Sequence, residues 1–190
     1  MLNVGIINIT GYAGAEIARL VYSHPELKLV SATGRSKAGK DLSEVFPHLE
    51  KTDIKIREEL SDNVEFVFSA LPHAASAEKL SQYVDSSIPA IDISADFRLK
   101  DLSTYEDWYD IKHPRPELID QATYGLPEIH RDDIKKSKLV ANPGCFPTGA
   151  ILSMSPAVKN DLIEDMIILT QKQEYLGGQN SKRSIWIFRA

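Results

Sequence analysis

A short turn near the amino terminus constrains the fold more than any other feature of this chain. The apolar run Leu2–Ile7 is typical of a buried strand, and apolar residues at helical spacing over 13–23 predict a helix after it. Between them lie Gly11 and Gly14, small residues that allow a sharp turn and close packing of a helix on a strand. Strand, glycine turn and helix together predict a βα unit.

The same alternation continues along the chain. Further strands are predicted at 27–33, 64–70 and 90–93, and a further helix is predicted at 74–83. Strands that alternate with helices indicate an α/β protein with a doubly wound, Rossmann-like parallel sheet. Segment 101–124 is polar, aromatic and irregular, so we expect it to cover a site or to pack against a helix.

Composition narrows the classes of partner. The chain has 190 residues and a formal net charge of −5, without basic runs, which disfavours nucleic acid and anionic membranes as partners. No stretch approaches the roughly 18 apolar residues of a membrane span, and no basic leader precedes the first strand, so a cytoplasmic location is expected. No metal is expected, and the single cysteine excludes an intrachain disulfide.

That single cysteine stands in a run of turn-forming residues. Asn142, Pro143 and Gly144 precede Cys145; proline fixes φ and glycine permits positive φ, so a sharp bend is predicted here. Such a bend can expose a nucleophilic thiol. The alternative is a small buried hydrophobic residue, because free cysteine is among the most buried residue types.

Residues 141–149 around this cysteine resemble the active-site signature of the N-acetyl-gamma-glutamyl-phosphate reductase family, NADP-dependent enzymes of arginine biosynthesis. The resemblance covers about the first 169 residues. Its other matching stretches, in family order, are 5–14, 33–36, 45–49, 70–73, 92–98 and 124–128. Two alternatives stay open: a lysine-pathway reductase of carrier-bound aminoadipyl phosphate, and a non-catalytic NADP-binding module whose cysteine is packed.

The resemblance implies the chemistry of the site. Cys145 attacks the acyl phosphate, phosphate leaves, and NADPH delivers hydride to the thioester, which yields an aldehyde. Family members also use a histidine from a later part of the substrate domain as acid and base, and no matching motif occurs in this sequence. The expected partner is a small-molecule acyl-phosphate substrate. Full-length members are expected to form homo-oligomers, and we do not extend the oligomer to this chain.

The glycine turn is a variant of the fingerprint that binds a pyrophosphate at a helix N-terminus. Family members commonly have glycine at positions 8, 11 and 14. Asn8 replaces the first, and asparagine tolerates the positive φ of a tight turn. The predicted cofactor contacts from this turn are Asn8, Thr10, Gly11, Tyr12, Ala13 and Gly14.

The residues at the end of the second strand indicate whether NAD or NADP is the cofactor. An acid there would bind the ribose 2′-hydroxyl of NAD, whereas an arginine accepts the 2′-phosphate of NADP. The sequence places Arg35 and Ser36 after this strand, and no acid, which favours NADP over the alternative of a solvated basic loop. Leu71, Pro72 and His73 follow another strand and are further expected cofactor contacts.

Substrate contacts are expected where the strand over 90–93 ends. Arg98 has a planar guanidinium suited to an acyl phosphate or a carboxylate, and Ser94 can donate a further hydrogen bond. The alternative is a loop pair between Asp96 and Arg98. Asn142 completes the expected substrate set. Tyr105, Trp108, Tyr109 and Tyr124 are expected to pack, and His24, His48, His113 and His130 to lie on the surface or cap helices.

We expect an NADP-binding domain over 1–145, the start of an incomplete α+β substrate and dimerisation domain over 146–169, and an out-of-frame tail over 170–190. One set of codons that can encode 170–178 gives Asp-Ala-Lys-Thr-Gly-Val-Ser-Gly-Gly once a G is added in front, and this product resembles the segment with which the family continues. The resemblance therefore implies truncation and a frameshift near residue 170. The tail is expected to pack poorly, and 166–169 to form an unpaired, aggregation-prone strand edge.

Overall fold

The computed structural model describes residues 1–49, 53–162, 166–173 and 182–189, the last two ranges by their backbone alone. The chain divides into two compact units, Met1–Pro143 and Gly144–Ala190. Among the described residues, none of the helices combines the length and apolar character that a membrane crossing requires.

The first unit is built on a parallel sheet of seven strands, in the order β3-β2-β1-β4-β5-β7-β6. The strands are Leu2–Ile7 (β1), Leu27–Thr33 (β2), Ile56–Arg57 (β3), Phe66–Ser69 (β4), Ala90–Asp92 (β5), Ala122–Tyr124 (β6) and Leu139–Ala141 (β7). The strand order reverses between β1 and β4, as in a doubly wound Rossmann-like fold, which confirms the predicted fold class.

Helices connect the strands. They are Tyr12–Ser23 (α1), Leu42–Val45 (α2), Ala75–Asp85 (α3), Leu102–Tyr109 (α4) and Pro127–Ile134 (α5) in the first unit, and Cys145–Lys159 (α6) in the second. Short 3-10 helices cover Arg35–Lys37, Pro47–Leu49 and Pro116–Gln121. Apolar residues spaced by three or four positions bury one face of α1 and one face of α3, as helical periodicity requires.

Two apolar clusters sandwich the sheet, and β1 contributes to both. Val4 and Ile6 pack with Ala18 of α1, whereas Ile7 packs with Leu80 of α3. Because successive strand residues point to opposite faces, α1 and α3 cover opposite faces of the sheet. The carboxyl ends of the strands are therefore left as the accessible edge, where this class of sheet binds ligands.

Segment 101–124 is more regular than expected. It contains α4, which begins where the Asp101 carboxylate accepts the Thr104 N–H at 2.6 Å, and it ends in β6 at the edge of the sheet. Tyr105 is fully buried, in agreement with the packing prediction, but Trp108 is 69% exposed, so that prediction is wrong for Trp108.

The prediction for His113 is also wrong, because it placed this residue at the surface or in a helix cap. It is buried, and both ring nitrogens are satisfied: Nε2 donates to the Asp96 carbonyl at 2.8 Å, and Nδ1 accepts the Arg115 N–H at 3.1 Å. A buried histidine with both ring nitrogens hydrogen-bonded is a stable core residue.

In the second unit, α6 is followed by an antiparallel strand pair, Met166–Gln173 (β8) and Lys182–Arg189 (β9). The expected unpaired edge at 166–169 is therefore wrong, because Met166 to Leu169 align with Arg189 to Trp186. The run Ile185-Trp186-Ile187-Phe188 explains the pairing, since β-branched and aromatic residues favour strands. How the tail packs lies outside the described residues.

A buried polar network ties β5 to α3. The Asp92 carboxylate is fully buried and accepts hydrogen bonds from the hydroxyls of Ser76 at 2.5 Å and Ser94 at 2.6 Å. The Ser69 and Ser76 hydroxyls lie 2.7 Å apart. Burial raises the pKa of the Asp92 carboxyl, although the hydrogen bonds from Ser76 and Ser94 oppose this shift.

This raised pKa predicts a pH-dependent stability. An acid with a higher pKa in the folded state makes the native state bind more protons, so stability falls as pH rises from about 4 through the folded-state pKa. The free energy of unfolding of the unchanged chain minus that of Asp92→Asn should therefore decrease over this interval and then level off. Urea unfolding at a series of pH values measures the difference.

Asp101→Asn is the matched control, because its effect has the opposite sign. Hydrogen bonds from Ser103 and Thr104 lower the pKa of Asp101 to about 2, so the stabilisation by Asp101 is lost as pH falls towards that value. An Asp92→Asn difference that stays constant, or that grows with rising pH, contradicts the assignment.

Candidate functional site

The turn between β1 and α1 has the geometry that its sequence predicts. Asn8 has a φ of 62°, so asparagine occupies the left-handed position expected for it. Its side chain adds a contact that glycine lacks, because Nδ2 donates to the Ala70 carbonyl at 2.9 Å. Its N–H donates to the Thr33 hydroxyl at 3.2 Å. Asn8 therefore joins the carboxyl ends of β1, β2 and β4.

Glycine is required at one position of this turn. A Cβ on Gly14 would lie 2.3 Å from the Asn8 carbonyl oxygen and 2.7 Å from the Ile9 Cα, which the backbone cannot accommodate. At Gly11 an added Cβ would make only an ordinary contact, 3.6 Å from Asn8 Nδ2. Gly14 thus sets the close packing of α1 on β1, while a role for Gly11 in phosphate approach stays a prediction.

A cleft of about 650 Å³ opens where β1, β2 and β4 end, at the point where the strand order reverses. It is lined by Ile7, Asn8, Thr10, Thr33, Gly34, Arg35, Ser36, Glu58, Glu59, Leu71, Pro72, Ala75, Glu78, Lys79 and Gln82. The cleft thus brings together six of the expected cofactor contacts: Asn8, Thr10, Arg35, Ser36, Leu71 and Pro72.

The remaining expected contacts, Gly11, Tyr12, Ala13, Gly14 and His73, are not among the described residues that line this cleft. The side chain of Tyr12 is fully exposed at the start of α1. The ring of His73 packs against that of Tyr109, with centroids 5.3 Å apart. Their roles toward a cofactor stay predictions.

An ion pair in the cleft was missed by the sequence interpretation. Glu58 and Glu59 follow β3, and the Glu59 carboxylate accepts hydrogen bonds from the Lys79 ammonium of α3. No acid follows β2, but two acids that follow the neighbouring strand β3 line the same cleft. A two-residue strand carries no periodic signal, so the sequence pattern could not place these acids.

The expected substrate residues lie together at the ends of β5 and β7. Arg98 Nε donates to the Asn142 carbonyl and Nη2 to the Ile93 carbonyl, both at 2.7 Å. These bonds use two of the five N–H donors of a guanidinium. The alternative Asp96–Arg98 pair is not formed in the described structure, since the Asp96 carboxylate bonds to Ala74, Ala77 and Tyr105 instead.

Ser94 has a different environment from the one expected for a substrate donor. It is buried, its hydroxyl donates to Asp92, and its oxygen accepts the Asp96 N–H at 3.1 Å. A hydrogen bond from Ser94 to substrate requires the bond to Asp92 to break. Asn142 is half-buried, and its N–H donates to the Asp92 carbonyl at 2.8 Å.

Cys145 is the first residue of α6, directly after the N-cap Gly144. It is exposed and carries a free thiol, which disagrees with the alternative of a buried hydrophobic cysteine. A helix N-terminus stabilises nearby negative charge, so the position suits an attacking thiolate. The described residues hold no cluster of three or more histidines, cysteines or acids that could bind a metal ion.

The chain is similar to known proteins along most of its length. Residues 3–137 match the family described as Semialdehyde dehydrogenase, NAD binding domain. An N-acetyl-gamma-glutamyl-phosphate reductase of Dehalococcoides mccartyi is 52% identical over 173 residues, which are 91% of this chain and 51% of that protein. The reductase of Methanosphaera stadtmanae is 46% identical over 93% of this chain and 51% of its own length. The chain thus spans about half the length of these curated relatives.

Solved structures show the same fold. Aspartate semialdehyde dehydrogenase II from Vibrio cholerae, solved in complex with ASA, is 17% identical and superposes with a TM-score of 0.65. The match covers 90% of this chain and 50% of that one. Aspartate semialdehyde dehydrogenase with NADP from Candida albicans gives a TM-score of 0.63 at 16% identity, with 90% and 50% coverage.

The position of Cys145 predicts direct modification of the folded chain. Because the thiol is exposed, iodoacetamide should alkylate it fully in buffer, at a rate that changes less than about tenfold after unfolding in urea. Mass spectrometry of the intact chain counts the adduct, and the sequence offers no second cysteine to confuse the result. Labelling that begins only after denaturation contradicts the exposed placement.

Proposed function

We propose a function from one premise: the chain belongs to the semialdehyde dehydrogenase family, whose NAD-binding domain its residues 3–137 match. Its curated relatives are N-acetyl-gamma-glutamyl-phosphate reductases. We therefore infer that the chain provides the dinucleotide-binding part, and the nucleophile, of such a reductase in arginine biosynthesis. The reaction reduces N-acetyl-gamma-glutamyl phosphate to N-acetyl-glutamate semialdehyde with release of phosphate, in the cytoplasm.

One observation carries the cofactor assignment. Arg35 and Ser36, from the end of β2, line the same cleft as Asn8 and Thr10 from the turn before α1. This arrangement suits a dinucleotide whose pyrophosphate lies near the turn and whose 2′-phosphate lies near Arg35, so we propose NADP. The tight approach at Gly14 supports the fit, because it brings the α1 N-terminus close to the end of β1.

Cys145 is the nucleophile in the proposed chemistry. The Cys145 thiolate attacks the acyl carbon, a sulfur–carbon bond forms, and the carbon–oxygen bond to the leaving phosphate breaks. NADPH, when bound, supplies the hydride that reduces the resulting thioester, and the Cys145 thiolate then leaves as the aldehyde forms. The α6 N-terminus stabilises the thiolate before attack and after departure.

Arg98 and Asn142 are the proposed substrate contacts. Arg98 is held by the Ile93 and Asn142 carbonyls, which fix the plane of its guanidinium, and its other N–H groups suit a phosphate or carboxylate oxygen. Asn142 lies three residues before Cys145 in the chain. The resemblance implies that an acid–base histidine comes from a later part of the substrate domain, so reduction by these 190 residues alone should be slow.

The cofactor assignment predicts a selective effect of Arg35→Ala. Loss of a charged hydrogen bond to the 2′-phosphate should weaken NADPH binding by about 1.5–3 kcal/mol and leave NADH binding nearly unchanged. Isothermal titration calorimetry with both cofactors measures the two affinities. Lys37→Ala is the matched control, because Lys37 lies in the same 3-10 helix but is not among the described residues that line the cleft. Equal losses for NADPH and NADH contradict the assignment.

A further inference from the structure

The backbone is strained next to the cleft, between the lining residues Pro72 and Ala75. Ala74 has a φ of 65° and a ψ of −46°, a combination that side-chain-bearing residues rarely adopt and that costs energy. It connects Leu71 and Pro72, which line the cleft, to Ala75, the first residue of α3. Ala74 is one of five non-glycine residues with positive φ in the described part of the chain, and its negative ψ places it outside the left-handed helical region that Asp110 occupies.

The strain is held by a carboxylate from elsewhere in the chain. Asp96 Oδ1 accepts the Ala74 N–H and Oδ2 accepts the Ala77 N–H, both at 2.8 Å. Asp96 therefore caps α3 from 22 residues away, in place of the local side chain that usually satisfies the first N–H groups of a helix. Asp96 is fully buried, so these hydrogen bonds do not compete with water.

Asp96 is itself held by three residues, one bonded to its carboxylate and two to its backbone. The buried Tyr105 hydroxyl donates to Oδ1 at 2.8 Å, and burial, with this hydrogen bond, raises the pKa of Tyr105 well above its ordinary value, so it remains a donor. The Asp96 N–H donates to Ser94, and its carbonyl accepts from His113 at 2.8 Å. These hydrogen bonds hold both the backbone and the side chain of Asp96 in a single conformation.

We propose that Asp96 is a positioning residue for dinucleotide binding: its carboxylate imposes the strained conformation of Ala74 and so fixes segment 71–75 as one wall of the cleft. This inference rests on the proposed function, in which the cleft receives NADPH. Such strain persists only where the surrounding structure imposes it, so strain held by a buried network indicates a conformation needed for function.

Ala74→Gly tests whether the carboxylate is needed because of the strain. Glycine adopts the conformation of Ala74 at no steric cost, so this variant alone should keep the urea midpoint and a Kd for NADPH within about twofold of that of the unchanged chain. The rise in Kd that Asp96→Asn causes should be clearly smaller when position 74 is glycine, because no strained conformation then has to be imposed. A merely structural loss at position 96 would raise the Kd equally with alanine or glycine at position 74, and that result overturns the proposal.

Asp96→Asn tests the carboxylate itself. The amide nitrogen that replaces one oxygen cannot accept an N–H, so amide hydrogen exchange at Ala74 or Ala77 should quicken and the Kd for NADPH should rise about threefold to tenfold. Asp101→Asn is the matched control, since Asp101 caps α4 and is not among the described cleft residues; it should leave the Kd unchanged. Equal effects of both variants on the Kd overturn the proposal.

The unchanged chain is titrated with NADPH first. If it does not bind, the proposed function fails and the positioning role fails with it. If it binds and Asp96→Asn binds NADPH with the same Kd as the unchanged chain, the proposed function stands and only the role of Asp96 is overturned.

Discussion

The approach of α1 to the carboxyl end of β1 is the constraint on which the site depends. It is possible only because Gly14 lacks a Cβ, which would otherwise lie 2.3 Å from the Asn8 carbonyl oxygen. The same turn puts Asn8 at positive φ, and the Asn8 side chain joins the turn to Ala70 at the end of β4. Helix packing, strand alignment and the shape of the cleft therefore share one local geometry.

Two buried carboxylates organise the other side of the cleft. Asp92 connects β5 to Ser76 of α3, and Asp96 caps the first turn of that helix. A buried carboxylate is costly unless its oxygens are hydrogen-bonded, and both groups have several donors. The polar network therefore fixes α3, and with it the wall that carries Leu71 and Pro72, relative to the end of the sheet.

The sequence predicts what local patterns determine. Apolar runs and helical spacing place β1, α1 and β2, and the known tolerance of asparagine for positive φ anticipates the conformation of Asn8. It does not predict contacts between distant residues. Asp96 caps a helix 22 positions earlier, Glu59 pairs with Lys79 across the cleft, and β8 aligns with β9. These contacts depend on the folded chain, so no local spacing indicates them.

NADPH binding in the cleft at the ends of β1, β2 and β4 is the proposal on which the other assignments depend. It can be measured by titrating the ¹⁵N-labelled chain with NADPH and following the amide resonances by NMR. Binding in the cleft should give saturable shifts concentrated at Asn8, Thr10, Arg35, Ser36 and Leu71, the lining residues that the sequence also indicates. Absence of saturable shifts, or shifts confined to residues away from this cleft, would show that NADPH does not bind there.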